Sequence, residues 1–173
     1  MTESPDVQRI LEQLDAVADI TEVGAVVRTA ARTLTGAMGA TFVVREADQC
    51  FYADEDAIAP LWKGQRFPVG SCLSGWAMLH GVTVVVPDIE QDPRVPLEAY
   101  RPTFVRSLVM VPVGCPDPVA AIGAYWSMPR VPRPDEVGRL EMLAAAVGTA
   151  VNRIGLDDAP WAPNFQPRSR TTA

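Results

Sequence analysis

Apolar residues recur at three- and four-residue steps near the start of the chain, and this spacing predicts two consecutive amphipathic helices. The first covers residues 6–18. Asp19 and Glu22 resemble a capping box that opens the second helix, and Gly36 is placed to end it. The two apolar stripes consist of Val7, Ile10, Leu11, Leu14, Val17 and Ala18, and of Val23, Val26, Val27, Ala30, Ala31 and Leu34.

After the second helix the pattern changes to short runs rich in β-branched and aromatic residues, which predict strands. The strands "SLVMVPV" and "VAAIGAYWS" are joined by the turn-forming "GCPDP", so we expect them to pair antiparallel. Helices before and after such a set of strands along the chain indicate an α+β domain, with helices covering an antiparallel sheet. The five predicted strands are 40–46, 50–54, 82–86, 107–113 and 119–127.

The end of the chain supplies one more helix and sets the domain limits. Asp135 and Glu136 favour the first turn of this helix, and its apolar stripe consists of Val137, Leu140, Ala144, Val147, Val151 and Ile154. Scattered prolines without any period follow it. We therefore predict a flexible N-terminus at 1–5, one domain at 6–154 and a disordered Pro-rich tail at 155–173.

The connections between the middle strands are long and irregular. In "FPVGSCLSGWAMLHG" the chain turns at Gly70, and Ser71 or Ser74 caps a short helix that ends at Gly81. In "DIEQDPRVP" the Asp and Pro residues impose turns. Long connections in compact domains often close over a ligand, so a binding site is expected here.

Composition and charge exclude several function classes. Fifteen Lys and Arg against twenty-one Asp and Glu give a net charge of -6, which offers no basic field for nucleic acid. No apolar run reaches the length of a membrane span, and the polar start "MTESPDVQRI" is unlike a signal peptide, so a cytoplasmic protein without membrane contact is expected. Three widely spaced cysteines and one histidine predict neither a disulfide framework nor a zinc site.

Aromatic and polar residues gather around "EAYRPTFVRS" (98–107), which allows two interpretations. In one, Tyr100 and Phe104 anchor the core, while Arg101 and Arg106 are solvated or pair with nearby acids. In the other, aromatic rings line a mostly apolar cavity, and polar groups orient a ligand that is flat or aromatic rather than a polyphosphate. The predicted ligand-binding residues are Trp76, Asp88, Tyr100, Phe104, Arg106, Ser107 and Tyr125.

Several short motifs resemble a GAF domain of the variety associated with bacterial sensor histidine kinases of the HWE type. They are "SGWA", "PDI", "DPR", "YRPTFVRS" and "AYWS", and the likeness covers about residues 6–154. The resemblance implies a GAF/PAS-like antiparallel sheet of five main strands in the order 2-1-5-4-3. It also implies that the first, second and last helices pack on one face, and that loops and short helices form a pocket on the other.

The resemblance also directs attention to the enzymatic and chromophore-binding branches of the family. The free methionine sulfoxide reductases carry a cysteine where this chain has Ser74, with Cys72 displaced by two residues, and their second cysteine falls near Arg101. Each cysteine is therefore interpreted as a small hydrophobic residue, although Cys72 lies where a helix start can stabilise a thiolate. Bilin-binding relatives have an anchoring cysteine before the histidine, whereas here Leu79 precedes His80.

Since the chain lacks the motifs of these branches, we predict no catalytic residue, no covalent bilin anchor, no haem or metal motif and no identifiable cofactor. The cyclic-nucleotide signature of the family is also incomplete, since only its final Asp-Glu is present. The predicted function is a stand-alone, non-enzymatic sensory module that binds a small molecule and signals through a partner, such as the histidine kinase of a two-component system. A homodimer or kinase contact is expected through residues 6–18 and 137–154. The alternatives are a dimerisation scaffold without ligand and a thiol-dependent, sulfoxide reductase-like enzyme.

Overall fold

The computed structural model describes residues 4–156, and these form one antiparallel sheet with helices on both faces. The predicted tail from residue 157 onward lies outside the described residues. The helices are α1 (Pro5–Ala16), α2 (Ile20–Thr35), α3 (Leu73–His80), α4 (Leu97–Tyr100) and α5 (Pro134–Ile154), and single 3-10 turns cover Val69–Ser71 and Ile89–Gln91. The strands are β1 (Gly39–Glu46), β2 (Gln49–Ala57), β3 (Arg66–Pro68), β4 (Val84–Val86), β5 (Ser107–Val113) and β6 (Ala120–Trp126).

The sheet has six strands in the order β3-β2-β1-β6-β5-β4, so the prediction of five strands is wrong. The added strand, β3, has three residues and pairs antiparallel with the first residues of β2. It was missed because Arg66-Phe67-Pro68 shows no run of β-branched residues, whereas the equally short β4 consists of three valines. Without β3, the other five strands lie in the predicted order, and every pairing in the sheet is antiparallel.

The predicted start and end of α2 are confirmed. Asp19 Oδ1 accepts the backbone N–H of Glu22 at 3.0 Å, and the Glu22 carboxylate accepts the N–H of Ala18 at 2.6 Å. Gly36 then ends the helix with φ +67°, a left-handed conformation that glycine adopts without a Cβ penalty.

Helix α5 begins with a buried carboxylate instead of an ordinary cap. Glu136 is 3% exposed, and both of its carboxylate oxygens accept from Arg130 Nη2, at 2.9 and 3.0 Å. The same carboxylate accepts the backbone N–H of Arg133 at 2.8 Å. A buried charge needs such partners, and these bonds fix the start of the helix against the end of β6.

Side chains alternate across the sheet and divide the interior into two cores. On one face, α2 and α5 cover residues such as Val44, Val111 and Ile122, and α1 packs against α2 and α5. On the other, α3 and the connections cover residues such as Val43, Met110 and Tyr125. The period of two along each strand produces this division, and the second core is where the site must be sought.

The apolar stripes of α1 and α5 pack within their own chain. Ile10 and Leu14 of α1, and Leu140 and Val147 of α5, all belong to the first core and are at most 3% exposed. Homodimerisation through these helices stays a prediction, and in this structure it would have to use their exposed sides.

Candidate functional site

The second core is closed by an aromatic cluster with Trp62 at its centre. The Trp62 ring lies 4.8 Å from Tyr100 and 5.6 Å from both Tyr52 and Tyr125, centroid to centroid, in edge-to-face contacts. All four residues are at most 5% exposed. Aromatic rings favour this geometry, and together they fill the space between the sheet and α4.

Trp62 lies in the connection between β2 and β3, and hydrogen bonds hold this connection in place. Glu55, on β2, accepts the backbone N–H groups of Leu61, Trp62 and Lys63 at 2.6 to 2.9 Å. The Trp62 indole Nε1 donates to the carbonyl of Ala99 at 3.1 Å. Hydrogen bonds therefore hold the backbone at Trp62 to the sheet and the Trp62 side chain to α4.

Burial makes the tyrosine hydroxyls of this core harder to ionise than an ordinary phenol. Burial raises the pKa of Tyr52, Tyr100 and Tyr125 above the ordinary value for a phenol. Tyr125 Oη lies 2.8 Å from Thr41 Oγ1, and Tyr52 Oη lies 3.2 Å from Ser74 Oγ. The second of these contacts links the aromatic cluster to the start of α3.

An open cleft of about 550 Å³ lies beside the aromatic cluster, between α3 and the residues that precede α4. Trp76 and His80 stack along one wall, with ring centroids 3.9 Å apart. The Arg94 guanidinium lies 4.8 Å from the centre of the Trp76 ring and forms an ion pair with Asp92 at 2.6 Å. The cleft is lined by Val69, Gly70, Ser71, Cys72, Trp76, Leu79, His80, Pro93, Arg94, Val95 and Pro96.

Two cysteines belong to the second core, and one of them lines this cleft. Cys72 is the N-cap residue of α3 and a lining residue, and Cys50 lies on β2 in the same core. Cys72 Sγ also lies 3.3 Å from Ser74 Oγ. The hydrogen bond from Cys50, aided by those from Ser74 and the Gly75 amide, lowers the pKa of Cys72 to about 6. The same contact and burial raise the pKa of Cys50.

Gly75 allows the tight turn that brings Cys72 to this position. A Cβ at residue 75 would overlap with the carbonyl of Val69, so only glycine lets α3 start this close to the preceding 3-10 turn. The prediction that Ser71 or Ser74 caps α3 is wrong, because Cys72 occupies the N-cap position. Ser74 lies inside the helix, where its hydroxyl contacts Cys72 and Tyr52.

The structure places the seven predicted ligand-binding residues in different surroundings. Trp76 lines the cleft, Tyr100 and Tyr125 belong to the aromatic cluster, and half-buried Phe104 packs against the second core. The other three are Asp88, which accepts the Glu90 N–H at 3.0 Å, Arg106, which pairs with Glu90 at 3.6 Å, and buried Ser107, which donates to the Met128 carbonyl at 2.8 Å. Their role in binding a ligand stays a prediction.

Three residues of the site were missed by sequence reasoning. Trp62 lies in "APLWKGQ", which has no period from which its direction could be read. Cys50 and Tyr52 are different, because they are two residues apart on a predicted strand and therefore share a face. That alternation was the available signal that Cys50 faces the second core.

A family model for the GAF domain matches residues 17–152, and the chain belongs to this family. GAF domains are a family of ligand-binding sensory modules. A search of curated protein sequences found no match. The particular association with HWE-type kinases stays a prediction.

Solved structures with the same fold come from regulatory, photosensory and enzymatic proteins. The free methionine-R-sulfoxide reductase of Neisseria meningitidis has a TM-score of 0.74 and 18% identity, over 89% of this chain and 94% of that one. The GAF domain of an Acinetobacter phosphoenolpyruvate-protein phosphotransferase has a TM-score of 0.73 and 10% identity, over 86% and 91%. The chromophore-binding domain of a bacteriophytochrome from R. palustris has a TM-score of 0.73 and 16% identity, over 88% and 63%.

The prediction that the chain is not an enzyme is corrected by these structures. The Neisseria protein and a second free methionine-R-sulfoxide reductase, from Thermoplasma acidophilum, are enzymes with this fold. The fold therefore does not exclude catalysis. Within residues 4–156, no helix has the length and apolar character needed to cross a membrane.

Proposed function

We propose that this chain is a regulatory GAF domain that binds a ring-bearing small molecule in the cleft beside α3. The observation that carries the proposal is the cleft itself, whose volume of about 550 Å³ falls in the usual range for small-molecule sites. The neighbouring second core has no room for a ligand, because its own aromatic rings fill it. The ligand therefore binds beside Trp76 and not among the buried tyrosines.

The walls of the cleft define the chemical class of the ligand. Trp76 and His80 present flat rings, while Val69, Pro93 and Val95 supply apolar surface. Arg94 is the one arginine or lysine among the residues that line the cleft, and its charge is already balanced by Asp92. A planar molecule of low charge suits this lining, whereas a polyphosphate would call for more cations or a glycine-rich backbone.

The test uses adenine and quinoline as planar probes and ligand-observed NMR of the purified chain as the readout. We expect saturation transfer to at least one probe, and we expect Trp76→Ala to weaken its binding at least tenfold. Val131→Ala is the matched control, because Val131 is exposed and does not line the cleft. Binding that is unchanged in Trp76→Ala would contradict the proposal. The proposal would also fail if neither probe binds and native mass spectrometry of the purified chain detects no retained small molecule.

Output through a partner chain is the second part of the proposed function. A ligand that contacts α3 and Arg94 acts on the segment that leads into α4 and β5. The partner, a second copy or a kinase, would then contact the exposed sides of α1 and α5. Native mass spectrometry of the chain with and without quinoline measures whether binding changes its association. A monomer in both conditions counts against a homodimer.

A second candidate function is thiol-dependent reduction of a sulfoxide. It is favoured by the lowered pKa of Cys72, whose Sγ lies 3.3 Å from Ser74 Oγ at the start of α3, and by the likeness of the fold to two free methionine-R-sulfoxide reductases. Incubation with free methionine sulfoxide and dithiothreitol tests it. Turnover that is lost in Cys72→Ser and kept in Cys115→Ser would establish the enzyme, and no turnover above a protein-free blank would remove this candidate.

A further inference from the structure

An open groove of about 370 Å³ lies between α5 and the edge of the sheet that β4 and β5 form. Val111 and Ala144, which line it, belong to the first core, so the groove and the cleft beside α3 lie on opposite faces of the sheet. We call it the α5 groove. It is lined by Gly81, Thr83, Val111, Pro112, Gly114, Cys115, Glu141, Ala144, Ala145, Gly148, Thr149 and Asn152.

The α5 groove follows the helix for about three turns. From Glu141 to Asn152 its lining residues recur at three- and four-residue steps, which makes a stripe about 16 Å long. At one end, Thr83 Oγ1 donates to the Glu141 carboxylate at 2.8 Å. Toward the other end, a Cβ on Gly148 would lie 3.7 Å from the Gly114 amide nitrogen. The groove therefore runs from the start of β4 to the last turns of α5.

We propose that residues 160–165 of this chain, "PWAPNF", dock in the α5 groove with the Trp161 ring against Ala145 and Gly148. The groove is thus an interaction surface whose partner is a later segment of the same chain. This proposal departs from the prediction that residues 157–173 are disordered, and it is independent of the ligand proposed for the cleft beside α3.

The side chains of the groove are small enough to admit an aromatic ring. Ala144 and Gly148 are buried in its floor, and Ala145 is exposed beside them. Val111 and Pro112 of β5 supply apolar surface on the facing wall. A ring that lies between these walls removes apolar area on both of its faces from water, which is the main source of binding energy for tryptophan side chains.

The chain leaves α5 in a direction that leads back to the domain. Helix α5 ends at Ile154, and Gly155 follows with φ +75° and ψ 168°, a conformation that is essentially restricted to glycine. Leu156 is half-buried and packs against the first core. At the last described residue the backbone therefore bends toward the domain instead of continuing along the helix axis.

The length of chain after Leu156 matches the position of Ala145. Trp161 is five residues beyond Leu156, and an extended backbone covers this separation in about 16 Å. Ala145 is eleven residues before Leu156, which corresponds to about 16 Å of helix. Pro160 and Pro163 flank the ring and fix φ at their positions, which lowers the entropy that docking must remove.

Charges at the two ends of the groove favour one direction for the docked segment. Asp157 and Asp158 follow the last turn of α5, where Arg153 is exposed. Arg168 comes after the docked segment, and the far end of the groove carries the exposed carboxylate of Glu141. Opposite charges therefore meet at both ends when the segment runs antiparallel to α5. Such exposed pairs add little affinity and serve mainly to orient the segment.

Fluorotryptophan labelling and fluorine NMR of the full chain test the position of Trp161. Its signal is identified by its loss in Trp161→Phe. We expect this signal to differ from that of free fluorotryptophan, and to move toward the free value in Ala145→Gln, whose longer side chain occupies the groove. Gly138→Gln is the matched control, because residue 138 is exposed on α5 outside the groove and an added Cβ there meets nothing within 4 Å.

Cys115 provides a second readout, because its thiol is exposed and the residue lines the groove. Alkylation of Cys115 by N-ethylmaleimide in the full chain is followed by peptide mass spectrometry. Trp161→Ala should speed this reaction about fivefold, as expected if the docked form covers the thiol in about 80% of the chains. Adding Ala145→Gln to Trp161→Ala should change the rate no further, because the docked ring is already lost.

Three results would overturn the inference. The first is a wild-type Trp161 signal at the position of free fluorotryptophan. The second is an alkylation rate of Cys115 that is the same in the wild type and in Trp161→Ala. The third is a Trp161 signal that returns to the free position on dilution, which would mean that the segment docks on a second copy and not on its own chain.

Discussion

Replacing Trp62 with alanine tests directly whether this side chain closes the second core. The indole is 5% exposed, it contacts three tyrosine rings at 4.8 to 5.6 Å, and its Nε1 donates to the Ala99 carbonyl. Truncation of a buried tryptophan removes this packing and leaves a cavity, which costs about 3–5 kcal/mol of unfolding free energy. We expect a loss in that range for Trp62→Ala.

Urea unfolding followed by far-UV circular dichroism measures the change. With a denaturant dependence of about 2 kcal/mol per molar urea, a loss of about 4 kcal/mol lowers the transition midpoint by about 2 M. Trp62→Phe is the matched variant, since it keeps a ring but leaves the Ala99 carbonyl without its donor, at a cost of about 1–3 kcal/mol. Trp76→Ala, on the half-buried cleft wall, should cost less than either.

Free indole distinguishes a cavity from general loosening. If Trp62→Ala leaves a hole with the shape of the lost ring, indole at 100 times its Kd restores about 2.7 kcal/mol to the variant. The wild type should gain nothing at this position, because its own ring occupies the space. A loss below about 1 kcal/mol in Trp62→Ala, or no rescue by indole, would refute the conclusion that Trp62 fills this core.

Three further predictions concern single residues. Asp19→Ala should lower the unfolding free energy by about 1 kcal/mol in urea titrations, because the α2 N-cap bond is lost; no change would contradict that role. In a Cys115→Ser chain, the rate of Cys72 alkylation by iodoacetamide should rise with pH around a midpoint near 6, because the thiolate forms as the pH passes the lowered pKa of Cys72. Adding Cys50→Ser should move this midpoint upward, because the hydrogen bond from Cys50 is the main cause of the lowered pKa. A midpoint near 8.5, the value of an ordinary thiol, would contradict this assignment. Gly75→Ala should prevent folding or shift the start of α3, seen as altered amide NMR signals near Cys72, because its Cβ meets the Val69 carbonyl.

Local patterns determined most of the fold. The stripe from Val23 to Leu34, the Asp19 cap and the Gly36 end specified α2, because these signals lie within a few residues of one another and need no distant partner. The same holds for the five predicted strands, which runs of β-branched and aromatic residues marked within each segment. The three-residue strand β3 depends instead on its pairing with β2, and no local pattern marks it.

The candidate site required the tertiary structure. The sequence by itself indicated that the connections around Trp76 and Tyr100 were the place to look, and that Cys72 lies near the start of a helix. It did not reveal that Trp62 fills the space among the tyrosines, nor that Cys50 and Cys72 share one core, since these features join residues that lie far apart along the chain. Side-chain packing between separate elements decided both features, because the direction of a side chain from an irregular connection is fixed only by what it packs against.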